Sequence, residues 1–103
     1  MASEADELIH QPLRLRIMAS LHGLPSREAI EFTRLKSIVE ATDGNLGAHL
    51  ATLERAGYLK VDKDFVGKKP RTRVGITATG RRAFLSHVAY LRALIDGAER
   101  PGG

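Results

Sequence analysis

The stretch that decides the fold covers residues 43–60 and reads DGNLGAHLATLERAGYLK. Leu46, Leu50 and Leu53 recur at spacings of four and three residues, which is the period of a helix with one apolar face. Gly57 follows at the position where a residue in the left-handed conformation commonly ends a helix. The stretch therefore predicts a short helix that buries its three leucines.

The outward face of this helix has an unusual composition. Four positions left outside by the leucines are small or neutral polar residues: Asn45, Ala48, His49 and Thr52. A solvated helix normally carries charged residues on such a face. Either nothing selects against neutral residues there, or the face contacts another molecule. The rest of the chain favours the second interpretation.

After Gly57 the apolar period changes from 3.6 to about 2. Leu59, Val61 and Phe65 alternate before the segment VGKKPRT at 66–72, and residues 73–76 continue the pattern. This predicts a β-hairpin whose loop is rich in Gly, Pro and Lys.

A last helix is predicted from Thr77 or Thr79, either of which suits its N-cap, to about Ala98. Its apolar positions form a wide set: Phe84, Leu85, Val88, Leu91, Leu94 and Ile95. A domain of this size needs less apolar surface on its final helix, so the width indicates a dimer interface. The alternative is a helix that folds back only on its own core.

The chain before residue 43 predicts two further helices. Pro12 suits the first turn of the first helix, and residues 1–7 have the composition of a flexible acidic lead-in. Ile30 and Phe32 are candidates for a very short extended segment. Thr33 is a suitable N-cap for a two-turn helix whose inward residues are Leu35, Ile38 and Val39.

The totals describe one domain of 103 residues with 43% apolar and 27% charged residues, the composition of an ordinary globular protein. We expect a core at about 8–76, a terminal helix at 77–98, and flexible tails at 1–7 and 99–103. The absence of cysteine excludes disulfides and fits an intracellular protein. The acidic start does not resemble a signal peptide, and no apolar stretch is long enough to span a membrane, so we expect a cytoplasmic protein.

The surplus positive charge is concentrated in one segment. Residues 66–82 hold six basic residues and no acid, whereas the rest of the chain holds 10 basic and 12 acidic residues. The six are Lys68, Lys69, Arg71, Arg73, Arg81 and Arg82. A concentrated basic segment on an otherwise balanced domain is typical of a phosphate-binding surface, although many such segments are only solvated.

The order of elements is helix, helix, turn, helix, hairpin, helix, which is the layout of a winged helix-turn-helix in a mainly α, α+β fold. The segment TDGNLGAHLATLERAGYLKVDKDFVGKKPRTRVGITATGRRAF, residues 42–84, resembles small winged-helix transcriptional regulators related to the MarR and ArsR families. In that group a turn ending in Gly-Asn-Leu leads the recognition helix, and a G..PRT segment forms the tip of the wing.

The resemblance implies double-stranded DNA as the partner. The start of the recognition helix would enter the major groove, where Asn45 suits adenine and Thr52 or Ala48 suits a thymine methyl, with His49 beside them. The wing would follow the sugar-phosphate backbone through Lys68, Lys69, Arg71 and Arg73, and Arg71 is the candidate for insertion into the minor groove. Thr33, Arg34 and Lys36 would anchor a phosphate less directly.

The resemblance also implies a homodimer formed through terminal helices. The candidate interface residues are Leu85, Val88, Leu91 and Ile95. A two-fold dimer would bind a near-palindromic operator, and repression is the expected sign because the chain has no separate activation domain. Whether a small-molecule effector binds is unknown from the sequence.

Catalytic and metal-binding patterns do not stand out. The four histidines are scattered, and no triad, phosphate loop or cofactor motif is visible, so neither an enzyme nor a metal or cofactor site is expected. The main alternative is a winged-helix module that binds another protein without specific DNA binding. RNA binding is a third possibility, but its aromatic candidates, Tyr58 and Phe65, are expected to lie in the core.

Overall fold

The computed structural model describes residues 5–25 and 28–99, so the parts of the expected tails at 1–4 and 100–103 lie outside it. The chain forms α1 (Glu7–His10), α2 (Pro12–His22), β1 (Ala29–Glu31), α3 (Phe32–Val39), α4 (Asp43–Arg55), β2 (Leu59–Val66), β3 (Lys69–Ile76) and α5 (Ala78–Glu99). This architecture confirms the prediction of a mainly helical winged helix-turn-helix.

The sheet has three antiparallel strands in the order β1-β3-β2. Strands β2 and β3 form the wing hairpin, which turns tightly at Gly67 and Lys68, with Gly67 at a φ of 63°. The loop is shorter than expected, because Pro70 and Arg71 lie within β3 rather than in the loop.

The two faces of the hairpin differ in character. Leu59 pairs with Ile76 and Val61 with Val74, and Leu59 and Val74 are buried, so we call their side the inner face. Successive side chains alternate across a strand. The outer face therefore carries the pairs Asp62–Arg73, Asp64–Arg71 and Val66–Lys69.

Side chains from every long element form one mostly aliphatic core. Its members are Ile9, Leu13, Ile17, Met18, Leu21, Leu35, Val39, Leu46, Leu50, Leu53, Leu59, Val74 and Phe84. The three leucines of α4 lie in it, as the period of the quoted stretch predicts. The prediction that Ile38 faces inward is wrong, because 51% of its surface is exposed.

Local signals set most helix ends. Thr42 caps α4 by accepting the Asn45 N–H at 3.2 Å, and Thr77 caps α5 by accepting the Gly80 N–H at 2.9 Å. Gly57 has a φ of 82°, which confirms the left-handed stop after α4. The prediction for Thr33 is wrong: the N-cap of α3 is Glu31, two residues earlier, and Thr33 lies within the first turn.

The segment before α2 is more ordered than the sequence indicates. Asp6 caps the short helix α1 by accepting the N–H groups of Leu8 and Ile9, and it accepts the Tyr58 hydroxyl at 2.6 Å. Its own N–H donates to Nδ1 of the buried His87 at 3.1 Å. Through these contacts Asp6 ties α1 to α5 and to the base of the wing.

Helix α5 is the longest element described, and the molecule is elongated, with extents of 62 × 25 × 22 Å. The helix has 22 residues, which corresponds to about 33 Å. Its first half packs on α1 and α2, whereas residues 92–97 are exposed. Within the described ranges, no helix is both long and apolar enough to cross a membrane.

Candidate nucleic-acid interface

Helix α4 presents its predicted outward residues in two different settings. Asn45 and Ala48 are both exposed near the start of the helix, whereas His49 and Thr52 are half-buried. Since Leu46 and Leu50 hold the opposite side in the core, Asn45 is free to approach another molecule. Asn45 and Ala48 are therefore the two accessible members of the four predicted base-contacting residues.

His49 has a neighbour that sets its protonation. Arg14 of α2 donates to His49 Nδ1 at 2.9 Å, and because arginine only donates, His49 must be neutral with its proton on Nε2. Burial and the charge of Arg14 lower the pKa of His49. His49 therefore offers an N–H donor at neutral pH.

The hydroxyl of the half-buried Thr52 is committed within the helix. It donates to the Ala48 carbonyl at 3.2 Å and lies 3.4 Å from Nη2 of Arg55. Its methyl group remains available for an apolar contact. Arg55 is an exposed cation on the same side of α4 that sequence reasoning missed, although its spacing of three from Thr52 and seven from Ala48 is a helical signal for a shared face.

The start of α3 provides a second polar surface. Thr33 and Arg34 lie in its first turn, and the side chain of the cap residue Glu31 makes no hydrogen bond to the amides of that turn. Lys36, in contrast, forms an ion pair with Asp43 at 2.6 Å across the turn between α3 and α4. Of the three predicted phosphate contacts, Thr33 and Arg34 are thus better available than Lys36.

The wing holds its cations in two groups. Lys68 lies in the turn and Lys69 beside it; both are exposed, and neither makes an ion pair with a described residue. Arg71 donates to both carboxylate oxygens of Asp64 at 2.9 and 2.7 Å, and Arg73 lies 3.6 Å from the same carboxylate.

The pairing with Asp64 bears on the predicted role of Arg71. The hydrogen bond from Arg71 and the charges of Arg71 and Arg73 lower the pKa of Asp64, so the carboxylate stays ionised. Both arginines lie on the outer face of the hairpin, away from α4. Insertion of Arg71 into a groove remains a prediction, and it would require breaking the bidentate ion pair between Arg71 and Asp64.

The other two basic residues of the 66–82 segment also differ in availability: one is bound within the protein and the other is exposed. Arg81 donates to the carbonyls of His22 and Leu24, which fastens α5 to the end of α2. Arg82 is exposed on α5. Lys63, which sequence reasoning did not select, is exposed on the inner face of the wing, two residues beyond Val61.

The candidate dimer residues lie along α5. Leu85 and Ile95 are exposed, whereas Leu91 is half-buried and Val88 packs partly against the core of its own chain. Leu94 is also exposed, although it was not among the four. The residues that the structure describes contain no group of three His, Asp or Glu side chains placed to hold a metal ion.

Comparison with known proteins agrees with this geometry. Residues 13–95 match the family model described as a winged helix DNA-binding domain. The uncharacterized protein MJ0432 of Methanocaldococcus jannaschii is 35% identical over 93 residues, covering 90% of this chain and 98% of that protein.

Two solved structures are also similar. The transcriptional regulator homologue protein from Pyrococcus horikoshii OT3 is 33% identical with a TM-score of 0.81, covering 92% of this chain and 91% of that one. A PadR family transcriptional regulator from Eggerthella lenta is 29% identical with a TM-score of 0.62, covering 84% of each chain.

Proposed function

The chain belongs to the winged helix DNA-binding domain family, and from that premise we propose that it regulates transcription by binding double-stranded DNA in a sequence-specific manner as a homodimer. One observation carries the proposal: the outward residues Asn45, Ala48, His49 and Thr52 of α4 carry no formal charge, and the same domain has an exposed basic wing tip. Asn, Thr and Ala side chains can read base edges in the major groove, and exposed cations can position the protein on the phosphate backbone. The chain supplies the neutral side chains on α4 and the cations at the tip of the wing.

The recognition helix is assigned base contact. Asn45 can make paired hydrogen bonds to adenine, and Ala48 suits the thymine methyl. Neutral His49 offers its Nε2 proton to an acceptor such as guanine N7, since Arg14 occupies the other ring nitrogen. Thr52 contributes its methyl, and Arg55 extends the surface with a cation.

The wing and α3 are assigned phosphate contact. Lys68 and Lys69 at the tip are the principal wing contacts, with Lys63 on the inner face as an addition. Thr33 and Arg34 at the start of α3 supply a second anchor, aided by the positive end of the helix dipole. These contacts fix orientation and make affinity depend on salt.

The second half of α5 is assigned the dimer contact. Leu94 and Ile95 expose 53% and 57% of their surfaces near the end of α5. We assign the same helix of a second copy as the element that packs on them. Two-fold symmetry would set two α4 helices about 34 Å apart, which matches successive major grooves on one side of B-DNA. Occupying such an operator would repress transcription by exclusion.

The experiment that tests this function is selection of random duplex DNA by the purified protein at near-physiological salt, followed by sequencing. An enriched inverted repeat with half-sites about one helical turn apart is the expected result. Asn45→Ala should relax the preference while weak binding persists. Lys69→Ala should weaken binding to all sequences alike and lower the salt slope by about one. Failure to enrich any sequence would reject the specific regulator in favour of the protein-binding module.

A further inference from the structure

Phe65 is the most exposed large apolar side chain in the described part of the chain, with 70% of its surface accessible. The sequence predicts a core position for it, and that prediction is wrong. The pair Val61 and Val74 marks the last position along the wing that packs on the core. Phe65 lies four residues farther out, which is about 13 Å. The core does not extend that far, so the ring projects beyond it.

The register of the hairpin sets the direction of this ring. Phe65 pairs with Pro70 on the inner face, one step beyond the pair Lys63–Thr72. Helix α4 lies beside β2, where the Val61 N–H donates to Glu54 Oε2 at 3.0 Å. A groove lined by side chains of both elements lies between them, formed by Phe32, Gly47, Leu50, Ala51, Glu54, Val61, Lys63 and Thr72. Phe65 therefore projects on the side of the wing that α4 occupies.

The surroundings of Phe65 are cationic. Lys63 precedes it on the inner face, and Lys68 and Lys69 follow it at the turn. The carboxylate of the neighbouring Asp64 is neutralised by Arg71 on the outer face. An apolar ring between amines is complementary to duplex DNA, in which stacked bases lie between two rows of phosphates.

We propose that Phe65 is a wedge that enters the minor groove of duplex DNA beside the groove read by α4 and partly unstacks one base step. Apolar side chains inserted in this way kink the duplex, and pyrimidine–purine steps yield most easily. Phe65 then contributes specificity without a hydrogen bond, by favouring operators with a deformable step at that point. The proposal rests on the DNA-binding function proposed above.

Pro70 and the two tip lysines give the wedge its support. Pro70 lies directly across from Phe65 on β3. Because the proline ring fixes the φ of this residue, the strand opposite Phe65 is stiffened. Lys68 and Lys69 lie at the turn, where they would bind the phosphates that flank the groove. The division of roles assigns affinity and salt dependence to the lysines and duplex deformation to Phe65.

The hairpin offers a matched control for Phe65. Val66 is its neighbour on β2 and is also exposed, at 57%, but it lies on the outer face. Both side chains are open to solvent, so Phe65→Ala and Val66→Ala should fold alike, which circular dichroism and thermal melting check. Phe65→Leu keeps an apolar wedge and serves as the conservative variant.

The experiment measures binding by fluorescence anisotropy to a duplex of about 30 base pairs, roughly three helical turns, that contains the selected half-sites, across a range of salt. A parallel set of duplexes carries 2-aminopurine at successive adenines, whose fluorescence rises when the base is unstacked. For the wild type we expect salt-dependent binding and a rise at one position. Phe65→Ala should bind about tenfold more weakly with an unchanged salt slope and no rise. Phe65→Leu should retain part of the rise, and Val66→Ala should match the wild type.

The outcomes separate the wedge from the proposed function. If the wild type shows no salt-dependent binding to the selected duplex or to a mixed-sequence duplex, the proposed function fails and the wedge fails with it. If the wild type binds but Phe65→Ala keeps its affinity and its fluorescence rise, the wedge alone is rejected and the ring is left for a protein partner. A Val66→Ala loss equal to that of Phe65→Ala would also overturn the assignment to one face.

Discussion

The two halves of α5 carry apolar residues on one continuous side but lie in different surroundings. In the first half, Phe84 is buried, Val88 is half-buried, and His87 lies fully inside the protein. In the second half, the same side continues through Leu91 to Leu94 and Ile95, and the last two are mostly exposed. A hydrophobic period identifies the side of a helix that is to be covered, but it does not identify what covers it.

The largest expected effect is in the first half. Gly80 is buried where α5 passes the residues that follow α4, and a Cβ at this position would overlap the Tyr58 carbonyl. We expect Gly80→Ala to lower the free energy of unfolding by about 3 kcal/mol, because backbone must move to make room. Urea denaturation followed by circular dichroism measures the change. A change of less than about 0.5 kcal/mol, the size typical of neutral surface substitutions, would mean that the packing at Gly80 is loose.

The second prediction concerns the second half. If the proposed dimer forms through this half, Leu94→Asp should convert it to a monomer while barely changing the stability of each domain, because the charge would be buried only in the dimer. Sedimentation equilibrium measures the mass. Ala93→Asp is the control, since it adds the same charge one residue away on another exposed side of the helix. Val88→Asp is a poorer test, because Val88 also packs on its own core.

Unchanged mass for Leu94→Asp would show that this part of α5 is not the interface. Equal dissociation by Ala93→Asp would show that charge, rather than the apolar side of the helix, controls association. Either result would remove the contrast between the two halves.

The third prediction is a pH dependence that belongs to the first half. Burial lowers the pKa of His87 from its ordinary value of 6.5, and the neighbouring His10 lowers it further, while Asp6 and Glu7 oppose the shift. As the pH falls, His87 therefore binds a proton near pH 6.5 in the unfolded chain but only at a lower pH in the folded chain. The free energy of unfolding should fall as the pH drops below that ordinary value and level off below the pKa of the folded state.

The variant His87→Asn keeps an acceptor for the Asp6 N–H but cannot titrate. Its stability should be lower at neutral pH and should change less between about pH 7.5 and about pH 5.5, as measured by urea midpoints. His49, whose pKa is also lowered, should account for part of the slope that remains. An unaltered slope in His87→Asn would assign the whole effect to other groups.

The smallest expected effect is again at a glycine. Gly97, in the second half, has open space around the position that a Cβ would occupy, in contrast to Gly80. Gly97→Ala should stabilise the helix by roughly 0.5 to 1 kcal/mol through helix propensity. Thermal melting measures the change. A loss of stability would instead indicate that the second helix of the proposed dimer approaches closely at this glycine.

Much of the fold follows from local chemistry that is visible in the sequence. The leucine period of α4, the left-handed Gly57 and the cap at Thr77 each depend on neighbours in the chain, and each prediction is confirmed. The prediction of an N-cap at Thr33 is a local one that is wrong, but two other wrong predictions concern long-range packing. Ile38 and Phe65 have the right periods for buried residues, but the core ends before it reaches either side chain.

The candidate site shows the same division. The composition of the outward face of α4 and the charge of the wing segment are properties of the sequence. Which cations remain available depends on partners that lie elsewhere: Asp64 holds Arg71 across the hairpin, and Asp43 holds Lys36 across a turn. Arg14 likewise sets the proton of His49 from another helix. These pairings follow from strand register and helix packing, which no local pattern specifies.

The sequence by itself determined the order of the elements, most of their caps and the location of the surplus charge, since hydrogen bonds and side-chain periods along one segment dictate them. Only the tertiary structure decided the exposure of Phe65, the tie from Asp6 to Tyr58 and His87, and the uncovered end of α5. Each depends on how far one element extends past another, and that distance is set only when all the elements pack around one core of finite size.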